Sequence, residues 1–387
     1  MLNIEDIDST YIFIPLLFIS TFVYFWYKSN YSGEDEYQNS RSKEGIKPYV
    51  FCTTYFDNEN KYENIKYKLD CIIKKSIIEN YKYNDNMKKY IIGRYKIENE
   101  TGEQLTMNNE QLWENMYTNE LPELKMILND DKKRISIAVD HRYFGGLYFL
   151  KLFGDIINCK PIKVYKESYI PFVSEFTILK MLYFWITKKP NEPLKMKNDI
   201  NRLVFSYNYN NDINEQKVRR QTIIFYNILK SVFNGIKRND KDFLRVMITV
   251  GYESTRKTYN NVGALFIDFY RDTTPEKLEI MLFNNKYQAH ATNLLQKYIN
   301  NGKYVRNDID IVLTSGLLYS ESNENMSYIN SIYTTYLSIA HYPIYIVSFT
   351  IGETAYVTIT NMSSDVNIEE IKKGMNKNIY NIKSSGF

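Results

Sequence analysis

Apolar positions change their pattern sharply along this chain. From Tyr11 to Tyr27 the run YIFIPLLFISTFVYFWY contains no charge, and with Ser9 and Thr10 the uncharged stretch reaches 19 residues. That is about the length a helix needs to cross a bilayer, with Tyr24, Trp26 and Tyr27 in the interfacial belt. Residues 28–47 are polar and poor in apolar side chains, the pattern of a tether. From Tyr49 onward apolar residues recur at period 2 or near 3.6, as in a folded α/β body.

Within that body Tyr49 to Phe56 predicts a strand. Asn64 to Tyr81 predicts a helix with Ile65, Leu69, Ile72, Ile73 and Ile77 on one side. Met87 to Ile97 predicts a strand with flanks, and Glu110 to Met126 a mixed helix. The most informative stretch is 134–157, RISIAVDHRYFGGLYFLKLFGDII. Ile135, Ile137 and Val139 alternate with Ser136, Ala138 and Asp140, which predicts a half-buried strand. Leu147, Leu150, Phe153 and Ile157 then follow at helical spacing. Between the two lie His141 and the pair Gly145-Gly146. By parity His141 continues the apolar face of the strand, so its imidazole points inward where a strand hands over to a helix. α/β proteins often place a general base there.

Phe172 to Ile186 is strongly apolar and predicts a helix, either buried or lying at a membrane interface. Lys188 to Ile200 reads as a crossover between halves. The second half predicts a helix over Thr222–Ile236 and strands over Phe243–Val250 and Val262–Tyr270, the latter entered through Gly263. Thr273, Pro275 and Glu276 mark a helix start with capping-box spacing. Asp308 to Thr314 predicts a strand that Thr314-Ser315-Gly316 ends. Leu337–Ile351 and Tyr356–Thr360 predict a hairpin around Gly352-Glu353, and Asn367–Met375 a closing helix.

Composition narrows the functional classes. A chain of 387 residues with 44% hydrophobic content is long enough for two halves with a substantial core. Forty-nine Lys and Arg against 45 Asp and Glu leave a net charge of only +4, with no basic block, which disfavours nucleic acid. Cys52, Cys71 and Cys159 are widely spaced, and the three histidines, His141, His290 and His341, are scattered. Neither set has metal-ligand spacing. No Lys or Arg precedes the N-terminal apolar run, whereas Lys28, Arg41, Lys43 and Lys47 follow it. The positive-inside rule therefore expects a single-pass membrane protein whose C-terminal body faces the cytosol. The acidic start and the bulky exit of the run favour an uncleaved anchor over a signal peptide.

The order of elements, with DHRYFGG at the strand-to-helix exit, resembles the chloramphenicol acetyltransferase-like superfamily of CoA-dependent acyltransferases, and most of all the wax ester synthase/diacylglycerol acyltransferase type. That group carries HHxxxDG at this place. On the resemblance, His141 falls on the catalytic His and Gly146 on the closing Gly, while Asp140 stands for the first His and Gly145 for the motif Asp. RVMITVGYESTRKTYNNVGALFIDFYRDTTPEKLEIM, DIDIVLTSGLLYS and HYPIYIVSFTIGETAYVTITNMSSDV resemble later parts of the family, so the likeness spans about residues 48–376. It implies an α/β fold: a two-domain chloramphenicol acetyltransferase-like sandwich with a tunnel at the domain interface. The apolar run independently predicts that one N-terminal transmembrane helix precedes it. The expected division is 1–8 tail, 9–27 anchor, 28–47 tether, 48–200 N-terminal subdomain and 201–387 C-terminal subdomain.

The resemblance also implies chemistry. Acyl-CoA would be a co-substrate with no permanently bound cofactor, and a lipid-like alcohol beside the membrane would be the acceptor. His141 would be the general base, and Thr314 or Ser315 the hydroxyl that donates to the oxyanion. Gly145 in place of the motif Asp removes the carboxylate that holds the loop in the family. A catalytically impaired acyltransferase-like module that binds a lipid or protein at a membrane is therefore the alternative, and condensation-type amide formation is a third. The charge asymmetry makes a prediction of its own. The sequons at Asn30, Asn99, Asn325 and Asn361 should stay unmodified in a eukaryotic host, and glycan attachment at Asn99 would show the orientation to be reversed.

Overall fold

A computed structural model of the chain describes residues 49–81, 85–118, 121–141, 143–159, 163–164, 175–208, 218–251, 262–296, 308–319, 329–336, 342–351, 354–378 and 382–383. The expected anchor and tether, residues 9–47, and His341 lie outside them. Among the described residues no helix is long and apolar enough to cross a membrane.

The first part of the chain runs β1 (Tyr49–Phe56), α1 (Glu59–Asn80), α2 (Asp85–Arg94), β2 (Tyr95–Asn99), α3 (Asn109–Thr118), β3 (Leu124–Asn129), β4 (Arg134–Asp140), α4 (Gly146–Asn158), β5 (Lys163–Val164) and α5 (Glu175–Thr187). The second runs β6 (Met196–Asn208), α6 (Arg220–Asn234), β7 (Phe243–Gly251), β8 (Val262–Tyr270), α7 (Pro275–Gln296), β9 (Ile311–Tyr319), β10 (Ile329–Tyr336), β11 (Ile344–Ile351), β12 (Thr354–Ser363), α8 (Ile368–Asn378) and β13 (Ile382–Lys383). One sheet has the order β10-β1-β4-β3-β2, the other β13-β6-β12-β11-β9-β7-β8 with β5 added beside β9. The first sheet thus contains β10 from late in the chain, paired antiparallel to β1. The second begins with β6 at Met196, so residue 200 falls inside one of its strands.

Several local expectations change. Met87 to Ile97 is not one strand. Met87 and Ile91 are spaced one helical turn apart on the packed side of α2, with Asp85 in its first turn and Arg94 in its last, as the helix dipole favours. β2 begins only at Tyr95. The helix expected to reach Met126 ends at Thr118, and Leu124 starts β3 beyond Pro122. Thr274 rather than Thr273 caps α7, its hydroxyl accepting from Lys277 N at 3.3 Å, and Pro275 takes the first helical position.

β4 is buried on both faces, not one. Ile135, Ile137 and Val139 join a core that includes α1 and α4. On the other face Ala138 meets Leu112, Trp113 and Met116 of α3, and Ser136 Oγ lies 3.1 Å from Thr53 Oγ1, which accepts from Trp113 Nε1. The expected solvent face is therefore covered by a helix. At the start of β4, Arg134 Nε and Nη2 form a two-pronged contact with the Glu100 carboxylate at 2.6–3.0 Å, both side chains essentially without solvent. Asn129 Nδ2 also donates to Glu100.

α4 is apolar around most of its circumference: Phe149, Leu150, Leu152, Phe153, Ile156 and Ile157 are all buried. It lies against α1 and also against β9 of the second sheet. The Phe149 and Phe153 rings stack 6.3 Å apart, and both meet Phe349 of β11, at 6.2 and 5.7 Å. The opposite face of the second sheet is packed by α6, α7 and α8. At the end of that sheet β8 hydrogen-bonds to β7 on one side only. On its other side Gln288 Oε1 and Thr292 Oγ1 of α7 accept from Phe266 N and Ala264 N at 2.8 and 2.7 Å, which closes the edge. That approach requires Gly263, where a Cβ would stand 1.9 Å from the Ala289 carbonyl oxygen.

Both of these features should be visible in stability measurements. Arg134→Met strands a buried carboxylate and should cost about 3–5 kcal/mol in urea unfolding, whereas the double variant Arg134→Met/Glu100→Leu should recover most of that cost. Gly263→Ala pushes α7 off the β8 edge and should lower stability by about 1–3 kcal/mol, read as a fall in Tm of the purified chain.

Candidate active site

The loop that leaves β4 is short and held by its own backbone. The Asp140 carbonyl accepts from Tyr143 N at 3.0 Å and from Phe144 N at 2.9 Å, and Asp140 N donates to the Glu123 carbonyl at 2.9 Å. His141 sits half-buried at the head of this turn. Its Nδ1 lies 2.6 Å from the Phe144 carbonyl oxygen. A carbonyl can only accept, so Nδ1 carries the proton, and the neutral ring keeps its lone pair on Nε2. The same hydrogen bond serves the imidazolium, so the ring orientation is kept whether or not Nε2 takes up a proton.

Gly145 is the N-cap of α4 with extended backbone, φ −62° and ψ 160°, and makes no side-chain cap. That conformation does not need glycine. At Gly146 nothing lies within 4 Å of where a Cβ would be. The pair therefore leaves the loop without the carboxylate that a side chain here could supply. Aromatic rings do the enclosing: Tyr81 at the end of α1 hydrogen-bonds the Tyr143 carbonyl and meets the Phe144 ring edge-on at 6.3 Å. Tyr90 of α2 lies 5.9 Å from the Tyr143 ring.

The second sheet supplies hydroxyls. β9 does not end at Thr314-Ser315-Gly316, as the sequence suggested, but runs on to Tyr319, because β11 continues to pair with it in parallel through Ile351↔Leu318. The expected turn is strand. Strand alternation then separates the two candidates. Val312 packs in the core shared with α4, so Thr314 lies on that face. Ile311 and Leu313 pack in the other core, so Ser315 lies on the side away from α4. Thr314 Oγ1 accepts from Thr249 Oγ1 of β7 at 2.9 Å and is 3.0 Å from Tyr345 OH of β11. Three hydroxyls thus form a row across β7, β9 and β11 on the face toward α4.

The structure accordingly keeps His141 and Thr314 on elements that bound one core, and sets Ser315 apart. Asp140 is buried and its backbone anchors the turn. His290 lies half-buried on α7, away from the His141 loop in sequence and element. Burial pushes the Cys52 thiol up to about 12, so it supplies no thiolate. Among the described residues no three His, Cys, Asp or Glu side chains converge on a point that could hold a metal. Sequence reasoning missed Tyr81, Thr249 and Tyr345. Parity could have put Thr249 and Tyr345 on the right faces, but their meeting at Thr314 depends on strand order, which no local pattern records.

No protein-family model and no curated protein sequence matches this chain. Solved structures do resemble it. Trichothecene 15-O-acetyltransferase TRI3 from Fusarium sporotrichioides superposes with a TM-score of 0.52 at 9% identity, over 86% of this chain and 89% of that one. The starter condensation domain of rhizomide synthetase RzmA, solved in complex with C8-CoA and Leu-SNAC, gives 0.50 at 5% identity over 89% and 91%. The cyclization-docking bidomain of EpoB from Sorangium cellulosum gives 0.50 at 8% over 86% and 78%. At these identities the likeness defines the fold and nothing finer. This chain has the two-sheet α/β fold found in an O-acetyltransferase and in the condensation and cyclization domains of peptide synthetases.

Proposed function

We propose that the chain is an acyltransferase that moves an acyl group from acyl-CoA to the hydroxyl of a lipid-like alcohol, with His141 as general base. The observation that carries the reading is the His141 Nδ1 contact with the Phe144 carbonyl, which puts the lone pair of the neutral ring on Nε2 at the strand-to-helix exit. In the reaction Nε2 removes the proton of the acceptor alcohol while its oxygen attacks the thioester carbonyl. The tetrahedral oxyanion collapses, the C–S bond breaks, and the imidazolium returns the proton to the CoA thiolate. Thr314 is the better oxyanion donor of the two candidates. When Thr249 and Tyr345 both donate to its oxygen, its own proton can turn toward the oxyanion. The reading carries with it a channel along the face of the second sheet that α4 covers.

The acceptor class is the finer part of the proposal. Its support is the uncharged stretch 9–27 and the basic residues after it, which would anchor the chain in a membrane with the body in the cytosol. The wax ester synthase/diacylglycerol acyltransferase type rests on DHRYFGG and the later sequence likenesses. Gly145 in place of the motif Asp favours a second reading, a non-catalytic module that binds an acyl ester or a lipid.

The test follows thioester consumption with long-chain alcohol or diacylglycerol acceptors. His141→Ala should lower turnover by about 10²–10⁴-fold. Thr314→Ala should lower it by about 10²-fold, while Ser315→Ala, on the other face of the sheet, should leave it unchanged. Gly145→Asp adds a side-chain cap to α4 and should keep or raise the rate of an active enzyme. Equal rates for wild type and His141→Ala would leave only the binding module.

A further inference from the structure

The peptide unit between Tyr143 and Phe144 is held at both ends. Its N–H donates to the Asp140 carbonyl at 2.9 Å. Its C=O accepts the hydroxyl of Tyr81. The next carbonyl along the chain, that of Phe144, is the one that meets His141 Nδ1. The Phe144 side chain is buried, and its ring meets Tyr81 nearly perpendicular, at 82°. One buried residue at the end of α1 therefore grips the residue pair that presents the imidazole's partner, by hydroxyl on one residue and by ring on the other. Gly145, which follows, adds no side-chain bond.

We infer that Tyr81 is a positioning residue: by clamping Tyr143 and Phe144 it holds His141 in the Nδ1–H tautomer, with the basic lone pair on Nε2. This rests on the reading of His141 as a base, but the clamp itself can be measured without substrate. Tyr81 acts on the backbone whose carbonyl direction decides which ring nitrogen keeps the proton. Around the clamp, Tyr90 OH donates to Glu123 Oε1 at 2.8 Å and Arg94 Nε lies 3.0 Å from Oε2, so the rings that enclose the loop are themselves anchored.

The experiment is 15N NMR of the histidine rings in the full chain, with His141→Ala used to assign the signal. Wild type should show the Nδ1–H tautomer at His141. Tyr81→Phe keeps the ring contact and removes the hydroxyl, and should shift the His141 signals toward the Nε2–H tautomer. Tyr95→Phe removes a tyrosine hydroxyl that instead hydrogen-bonds Asp70 on α1, and should change nothing at His141. If Tyr81→Phe does not fold, Phe144→Leu removes the ring half of the clamp and should produce the same direction of shift. With a turnover assay in hand, Tyr81→Phe should lower kcat by about tenfold and leave KM near wild type, the split expected when a base is misplaced and substrate binding is intact. A folded Tyr81→Phe, or the Phe144→Leu substitute, whose His141 tautomer matches wild type would overturn the inference. Absence of turnover in wild type with the tautomer shift intact would instead overturn the acyltransferase reading and leave the clamp standing.

Discussion

Phe149 and Phe153 of α4, packed together against Phe349 of β11, are the contact on which the rest of the molecule depends. A helix that buries Phe149, Leu150, Leu152, Phe153, Ile156 and Ile157 around most of its circumference cannot lie on the outside of a single sheet. It needs apolar surface on both sides, and the two sheets provide it: Ile135, Ile137 and Val139 from β4, Val312, Val347 and Phe349 from β9 and β11. Each aromatic pair adds about 0.5–1.5 kcal/mol beyond the area it buries, but the geometric consequence is larger than the energetic one. α4 starts six residues after β4 ends. Fixing α4 between the sheets therefore also fixes the exit of β4 and the turn that carries His141.

β4 is pinned at its other end by a different kind of force. Arg134 and Glu100 are both without solvent, and burying two charges costs several kcal/mol that their attraction and hydrogen bonds only offset. The pair adds little net stability but great selectivity. A one-residue slip of β4 against β1 or β3 would leave both charges unpaired in an apolar interior and turn every side chain to the wrong face. The ion pair thus guards register at one end of the strand, and the aromatic clamp guards the loop at the other. Between them they fix the strand and the turn that carries His141.

The strand–His–helix unit was legible because period and parity are local: Ile135, Ile137 and Val139 alternate, and the α4 apolar residues recur at helical spacing. The covering of the Ser136 face was not legible, since it depends on α3 folding over β1 and β4 through Trp113. β10 and the length of β9 were missed for a related reason. Thr314-Ser315-Gly316 carries turn-forming residues, and pairing with β11 along the whole stretch and with β7 at Thr314 keeps it extended. Met87 to Ile97 shows the converse: a short apolar run fits either period, and packing against α1 made the first part helical. The hydroxyl row at Thr314 lay beyond any local signal, because it joins residues 65 and 31 positions apart in sequence.

The second sheet has its own buried ionic frame. Asp310 has no exposure and takes Leu194 N, Asn191 Nδ2 and Arg245 N at 2.8–2.9 Å, with Lys241 Nζ at 3.0 Å. Arg245 in turn reaches Asp268, Asp308 and the Lys189 carbonyl. One carboxylate thereby ties the crossover segment near Leu194 to β7 and to the start of β9. Donors converge on both of its oxygens, so the group is held as a charge without stranded polarity. This frame lies at the start of β9, whereas Thr314 lies further along the same strand. The strand order that brings Thr249, Thr314 and Tyr345 together is thus enforced from a distance, by charges that do not themselves face the site. The task of holding the sheet together thus falls to the buried charges and not to the hydroxyl row.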